Sequence, residues 1–172
     1  MTTLMLDTTI MTGLLEEAIE FCSRKTGLKD REMVLEAMRN GDCSVCEYLR
    51  YGLAGKMAEY LGSVDDTVRA VYTYEPEYAT GVEGTFARES ARLPGINLIV
   101  WASRKNAALS SVVASVRSGL IGEYRQLGCP RANALCYEID VEVTDDDEVQ
   151  RRTGYGALIS SLYVRPIEVW RR

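Results

Sequence analysis

The spacing of the apolar residues changes at about residue 64, and this change constrains the fold more than any other feature of the chain. Up to that point apolar side chains recur every three or four residues, which is the period of an amphipathic helix. In the first such segment they are Met11, Leu14, Leu15, Ala18 and Cys22. Beyond it they recur at every second residue, the period of a half-buried strand: Val68, Ala70, Tyr72 and Tyr74. Helices that precede a set of strands predict an α+β fold.

Three helices are predicted in residues 1–63, and this helical segment is expected to pack on the rest of the chain. Short polar side chains mark the helix starts, and glycines mark the stops, because glycine readily adopts the left-handed conformation that ends a helix. The predicted N-caps are Asp30 and Asp42, and the predicted stops are Gly27, Gly41 and Gly62.

Residues 64–172 are predicted to form a mixed or mainly antiparallel sheet of about four strands, packed by one long helix, within a single compact domain. Pro166 places the last strand at a sheet edge or a bend, and Thr144 is the predicted N-cap of a short acidic helix. The four strands are expected near 68–74, 96–102, 135–143 and 160–170, with the long helix at 106–127.

The chain contains no histidine, and this absence excludes several kinds of chemistry. Histidine is the only side chain whose unperturbed pKa allows a change of charge near neutral pH. A Ser-His-Asp triad, a Cys-His pair, a histidine-bound zinc and a proximal haem ligand are therefore excluded for these residues. No catalytic constellation can be assigned, and we predict no cofactor.

The charge and hydropathy patterns predict a cytoplasmic protein. A net charge of −5 argues against a general nucleic-acid binder, which normally carries a basic face. No run of about 18 apolar residues is present, so no membrane contact is predicted. The first twelve residues place no Lys or Arg before an apolar stretch, unlike a signal peptide. The five cysteines, an odd number, are then expected to be free thiols.

Cys43 and Cys46 form a CxxC pair at the start of the third predicted helix. A thiol at a helix N-terminus has a lowered pKa because the helix dipole favours the thiolate, which is the basis of dithiol redox chemistry. The negative Asp42, the preceding helix and the missing histidine oppose this interpretation. A four-thiolate zinc site would add Cys129 and Cys136, but their spacing is not that of a zinc knuckle. We predict no metal site and keep thiol redox chemistry as an alternative.

Ser103, Arg104, Lys105 and Asn106 lie where the apolar strand passes into the long helix. Helix N-termini that follow strands often bind anions. Two cations at such a start are unfavourable in the helix dipole, so a negative group is expected beside them. That group is either a bound phosphate or carboxylate, or a side chain. The candidate side chains are Glu138, Asp140 and Glu142.

Tyrosines cluster where the first strand enters the segment after it, and tyrosine is favoured where a ring is buried and its hydroxyl remains hydrated. Tyr72, Tyr74 and Tyr78, with Glu75 and Glu77, are therefore predicted to contact a ligand or a partner. The acidic residues of the third strand and the turn after it are oxygen donors suited to Mg²⁺ or Ca²⁺, but a solvated strand face and a helix start made acidic to suit its dipole are the favoured explanation. They are Glu138, Asp140, Glu142, Asp145, Asp146 and Asp147.

The sequence thus predicts a small binding or interaction protein that forms a homo-oligomer. Small residues on one face of the 106–127 helix favour close approach of another element: Ser110, Ser111, Ala114, Ser115, Ser118 and Gly122. The alternative is a small enzyme or ligand-binding protein that binds an anionic small molecule at 103–106. A thiol redox protein that uses Cys43 and Cys46 is the second alternative.

Overall fold

A computed structural model describes residues 8–74, 95–127, 139–162 and 166–172. Within these ranges three helices are followed by strands that alternate with further helices, which confirms the predicted α+β fold. The elements are α1 (Thr8–Thr26), α2 (Arg31–Arg39), α3 (Cys43–Val64), β1 (Val68–Thr73), β2 (Ile96–Ala102), α4 (Ala107–Gln126), β3 (Ile139–Asp145), α5 (Asp146–Arg151), α6 (Gly156–Ile159) and β4 (Ile167–Arg171).

The helices begin at the polar side chains that the sequence marks. The Asp30 carboxylate accepts a hydrogen bond from the Met33 amide at 2.9 Å, and Asp42 accepts one from the Val45 amide at 3.1 Å. The amide oxygen of Asn106 caps α4 in the same way. Each bond satisfies one of the free N–H groups of a first helical turn. Gly27, at φ +75°, ends α1 in the left-handed conformation.

Three predicted boundaries are wrong. The last strand, expected near 160–170, begins only at Ile167, after the helix α6. Tertiary contacts explain the other two. Gly62 does not stop α3, which continues to Val64. The indole ring of Trp170 occupies the space where a Cβ at position 62 would lie, so this glycine permits a close approach rather than a helix end. Thr144 is the buried penultimate residue of β3, and its hydroxyl donates to Glu148 at 2.7 Å. The N-cap of α5 is instead Asp145, which accepts from the Glu148 amide.

The strands form one mixed sheet in the order β3-β2-β1-β4. β2 and β3 are parallel, whereas β1 runs antiparallel to both β2 and β4. Pro166 directly precedes β4, which lies at the sheet edge as predicted, where a missing N–H removes no ladder bond.

The two faces of the sheet have different partners because successive side chains of a strand point to opposite sides. One face packs against α3 and α4, and α1 packs in turn against both of these helices. From β2 this helix-covered face receives four side chains that are at most 3% exposed: Ile96, Leu98, Val100 and Ala102. The second face includes Ile99, which packs with Leu158 and Ile159 of α6. We call it the α6 face.

Candidate functional site

The α6 face of the sheet carries an open cleft of about 460 Å³. Strands β1, β2 and β4 form its floor, and the α5–α6 segment forms one wall. Its lining residues are Tyr72, Trp101, Val149, Ile159, Ser160, Pro166, Glu168 and Arg171. Only Tyr72 of these was a candidate from the sequence, so most of the cleft arises from residues that are distant along the chain.

Strand register brings the polar residues of the cleft together. Tyr72 is paired with Glu168 of β4, while Ala70 is paired with both Trp101 of β2 and Arg171 of β4. Ala70 ends at its Cβ, so the two large side chains on either side of it can meet above it. The guanidinium carbon of Arg171 lies 6.0 Å from the centre of the Trp101 ring, which is the range of a cation–π contact.

Arg171 links Tyr72 in the cleft floor to Glu168 at the solvent-exposed opening. We call this opening, formed by Arg171 and Glu168, the mouth of the cleft. Its Nη2 donates to the Tyr72 hydroxyl at 2.9 Å, and its Nε donates to the Glu168 carboxylate at 2.9 Å. Tyr72 is buried, whereas the side chains of Arg171 and Glu168 are 51% and 41% exposed. The cleft therefore combines a buried aromatic floor with one positive and one negative group that solvent and a ligand can both reach.

The ionisation states at the mouth follow from these contacts. The hydrogen bond from Arg171 lowers the pKa of Glu168, so this carboxylate is charged at neutral pH. Burial raises the pKa of Tyr72, so this phenol stays neutral there. At neutral pH the cleft thus presents a guanidinium, a carboxylate and a neutral phenol.

The Trp101 ring is held in place by the start of α5. Its indole N–H donates to Asp146 at 2.8 Å, and Arg69 donates to the other oxygen of the same carboxylate at 2.6 Å. Because both Asp146 oxygens are engaged, this acidic residue positions an aromatic wall and a neighbouring cation. Asp145 is likewise occupied as the N-cap of α5. Asp147 forms an ion pair with Arg151, so three members of the predicted acidic group have partners within the chain.

Several polar and charged groups of residues 103–106 are already paired with other groups of the protein. Asn106 caps α4, the Ser103 amide donates to Thr67, and Lys105 forms a 2.6 Å ion pair with Glu148. Glu148 supplies the negative charge expected beside Lys105, whereas the predicted partners were Glu138, Asp140 and Glu142. Arg104 is exposed. Binding of an anionic ligand at this junction stays a prediction.

Tyr74, the second predicted tyrosine, lies beside the cleft rather than in it. Its ring contacts that of Tyr155 edge to face, with centroids 5.7 Å apart. Burial raises the pKa of Tyr74 far above its ordinary value, and Tyr155, Asp140 and Glu142 add to the effect. Asp140 and Glu142 are half-buried in β3, and so do not form a freely solvated strand face. Tyr78, Glu75, Glu77 and Glu138 lie outside the described residues.

Without the Tyr74 hydroxyl, the free energy of unfolding is expected to fall less at alkaline pH than it does in the wild-type protein. The pKa of Tyr74 is raised in the folded state, so the unfolded chain releases this proton first, at about pH 10. The stability that the neutral phenol contributes is present below about pH 10 and falls as the pH rises above it. Urea denaturation at about pH 8 and about pH 10.5 measures the change. Tyr74→Phe should lose less stability than wild type, and equal losses in the two proteins contradict the assignment.

The described cysteines lie in the helical layer, away from the cleft. Cys22 is buried and donates to the Val45 carbonyl at 3.4 Å, while Cys46 is half-buried. Burial raises the pKa of Cys22, and the nearby Cys46 and Asp42 raise it further, so the thiolate that redox chemistry needs is disfavoured at Cys22. The side chain of Cys43 lies outside the described residues, as do Cys129 and Cys136. Redox chemistry at Cys43 and Cys46 stays a prediction.

The small-residue face of α4 has two kinds of environment. Ser115 is half-buried. Gly119, which is not one of the predicted small residues, lies against Met11 of α1. The exposed members are Ser110, Ser111, Ala114, Ser118 and Gly122. Formation of a homo-oligomer through these residues stays a prediction.

Comparison with known proteins adds no family to this description, because no family model, no curated protein and no solved structure matches the chain. In the described part of the chain, no helix has the length and apolar character needed to cross a bilayer. Nor do its cysteine and acidic side chains form a group of three or more that could hold a metal ion.

Proposed function

We propose that the protein binds a small organic molecule in the cleft of the α6 face. The observation that carries the proposal is a 460 Å³ opening whose aromatic floor, the buried Tyr72 and the half-buried Trp101, leads to an accessible ion pair. Small-molecule sites in proteins typically measure about 300–1,000 Å³ and combine apolar walls with a few polar groups that orient the ligand. The cleft has this combination on a sheet, which is a rigid support.

The apolar lining supplies a surface for the body of a ligand. Trp101 and Tyr72 contribute aromatic area from two adjacent strands, and Val149 and Ile159 face them from the α5–α6 segment. Each of the two aromatic side chains has a hydrogen bond that holds it in place, to Asp146 for Trp101 and to Arg171 for Tyr72. A preorganised wall favours binding because little side-chain freedom is lost when the ligand enters.

The ionisation states favour binding over proton transfer by the same groups. A general acid or base works best with a pKa near the working pH. Here the pKa of Glu168 is shifted down and that of Tyr72 is shifted up, so both move away from neutrality. Arg171 keeps its proton, and its pKa is raised by the bond to Glu168. These three groups are suited to hold charges in place.

A fragment screen observed by NMR tests the proposal. The chain has two tryptophans, and their indole N–H groups give two separate signals in ¹⁵N-labelled protein. Trp101 lies in the cleft, whereas Trp170 lies against Gly62 of α3 and serves as an internal control. We expect fragments that carry an aromatic or apolar ring to shift the Trp101 indole signal together with the amide signals of Val149 and Ser160.

Two results would count against the proposal. One is that none of several hundred ring-containing fragments, each at millimolar concentration, changes the Trp101 indole signal. The other is a set of anionic fragments, or inorganic phosphate, that shifts only the amides of Ala107 and Ala108. The second result would place the ligand at the 103–106 junction, where Arg104 is exposed.

A further inference from the structure

We infer that the ligand of the cleft is a free α-amino acid with an aromatic or large apolar side chain. This inference rests on the proposed function and specifies the ligand. Its basis is the charge arrangement at the mouth of the cleft, where one guanidinium and one carboxylate lie side by side above an aromatic floor.

The contact between Arg171 and Glu168 can be replaced by contacts from each of them to a charged group of the ligand. The pair is half exposed, and an ion pair in contact with water is weak because solvent competes with it. A ligand carboxylate can therefore take the place of Glu168 beside Arg171, with the bidentate geometry that guanidinium groups favour. The Tyr72 hydroxyl, which accepts from Arg171 Nη2, keeps the guanidinium aligned during the exchange.

A ligand with a single charge satisfies only half of this arrangement. A carboxylate bound to Arg171 would leave the charge of Glu168 without its partner, close to a second negative group. A lone ammonium bound to Glu168 would leave Arg171 in the equivalent position. Arg69 and Asp146, the latter bonded to the Trp101 indole N–H, are already joined to each other, so they do not compensate either charge. A zwitterion provides one partner for each group and keeps the cleft electrically neutral.

The spacing of the pair favours an α-amino acid over the ends of a peptide. Arg171 and Glu168 are in hydrogen-bond contact, at 2.5 Å between Nη2 and Oε2. An amine and a carboxylate must then approach the site close together, as they do when both are attached to one carbon atom. The apolar body of the ligand would extend from this carbon over Trp101 and toward Ile159, which line the same cleft.

Four probes that share one benzene ring test the inference on the unmodified protein. L-phenylalanine has both charges, 3-phenylpropionate has only the carboxylate, phenethylamine has only the ammonium, and phenylalanyl-glycine has both charges farther apart. Titrations followed by the Trp101 indole signal are expected to show that L-phenylalanine binds about tenfold more tightly than each of the others, as one charge-assisted bond accounts for about that factor.

The outcomes separate this inference from the proposed function. If all four probes shift the Trp101 signal with similar affinity, the cleft binds small molecules but the inference is overturned. If 3-phenylpropionate binds best, the ligand is a simple anion, and the inference is again overturned. If neither these probes nor any screening fragment shifts Trp101, the proposed function itself fails.

Two charge variants give a crossed test. Arg171→Gln should reduce the preference for L-phenylalanine over phenethylamine about tenfold, because the carboxylate no longer finds a cation. Glu168→Gln should reduce the preference for L-phenylalanine over 3-phenylpropionate by a similar factor, because the ammonium no longer finds a carboxylate. Arg151→Gln is the matched control, since it removes an exposed ion pair with Asp147 on α5 and should leave all four affinities unchanged. Equal weakening of every probe by the two cleft variants would indicate a structural role only and would contradict the inference.

Discussion

Replacing Ile99 by alanine is expected to destabilise the protein by about 2–5 kcal/mol and to alter the cleft, whereas Leu98→Ala should cost the same free energy and leave the cleft intact. Both side chains are fully buried and adjacent in β2. Leu98 points into the core formed with the helices, and Ile99 packs with Leu158 and Ile159 on the α6 face. A cavity at 99 therefore lies beneath the wall of the cleft.

Urea denaturation measures the free energy of unfolding, and the indole N–H signal of Trp101 reports the cleft. Ile99→Ala should shift that signal, and Leu98→Ala should not. Where an alanine variant unfolds, Ile99→Val keeps the experiment possible with a smaller cost of about 0.5–1.5 kcal/mol. A Trp101 signal that responds equally to the two substitutions would show that the two faces of the sheet are not separately packed.

Replacing Gly156 by alanine should also have a large effect. We expect this substitution to destabilise the protein by about 1–3 kcal/mol through overpacking. Gly156 is the first residue of α6. A Cβ there would lie within 2.5 Å of the Glu148 carbonyl oxygen and the Val149 amide nitrogen. These are backbone atoms of α5, which cannot rotate away as the end of a side chain can. The two helices would have to separate, and this moves Val149 and Ile159, which line the cleft.

Alanine at Gly122 and at Gly55 provides the matched control. Both glycines lie inside long helices, and nothing lies within 4 Å of the Cβ that each would gain. These variants should be more stable than wild type by about 0.5–1 kcal/mol, because alanine loses less conformational freedom on folding. Thermal or urea denaturation of the three variants compares them directly. A Gly156→Ala protein as stable as wild type would contradict the close packing of α5 on α6.

Much of the fold could be predicted from the sequence because its signals are local. The N-cap aspartates at 30 and 42 act within three residues of their own position, and Asn106 does the same. The predicted stop at Gly62 failed because its role depends on Trp170, which is more than a hundred residues away along the chain. No periodicity in the sequence records such a contact.

The candidate site was predictable only in part. Tyr72 was identified because tyrosine is favoured where a ring is buried and its hydroxyl stays hydrated, and it does line the cleft. Arg171 and Glu168 carry no local motif, and they become a site only when β4 pairs with β1. Lys105 was expected to have a negative partner. That partner is Glu148 of α5, and no local pattern in the sequence pairs residue 148 with residue 105.

The sequence by itself determined where α2, α3 and α4 begin, which strands are apolar and which chemistries are closed to a chain without histidine, because each of these depends on neighbouring residues or on composition. The tertiary structure alone decided the strand order and the cleft. Strand register places Ala70 between Trp101 and Arg171, and the close approach of Gly156 to α5 shapes the opposite wall. Both are distances between segments far apart in the chain, and only the packed fold specifies them.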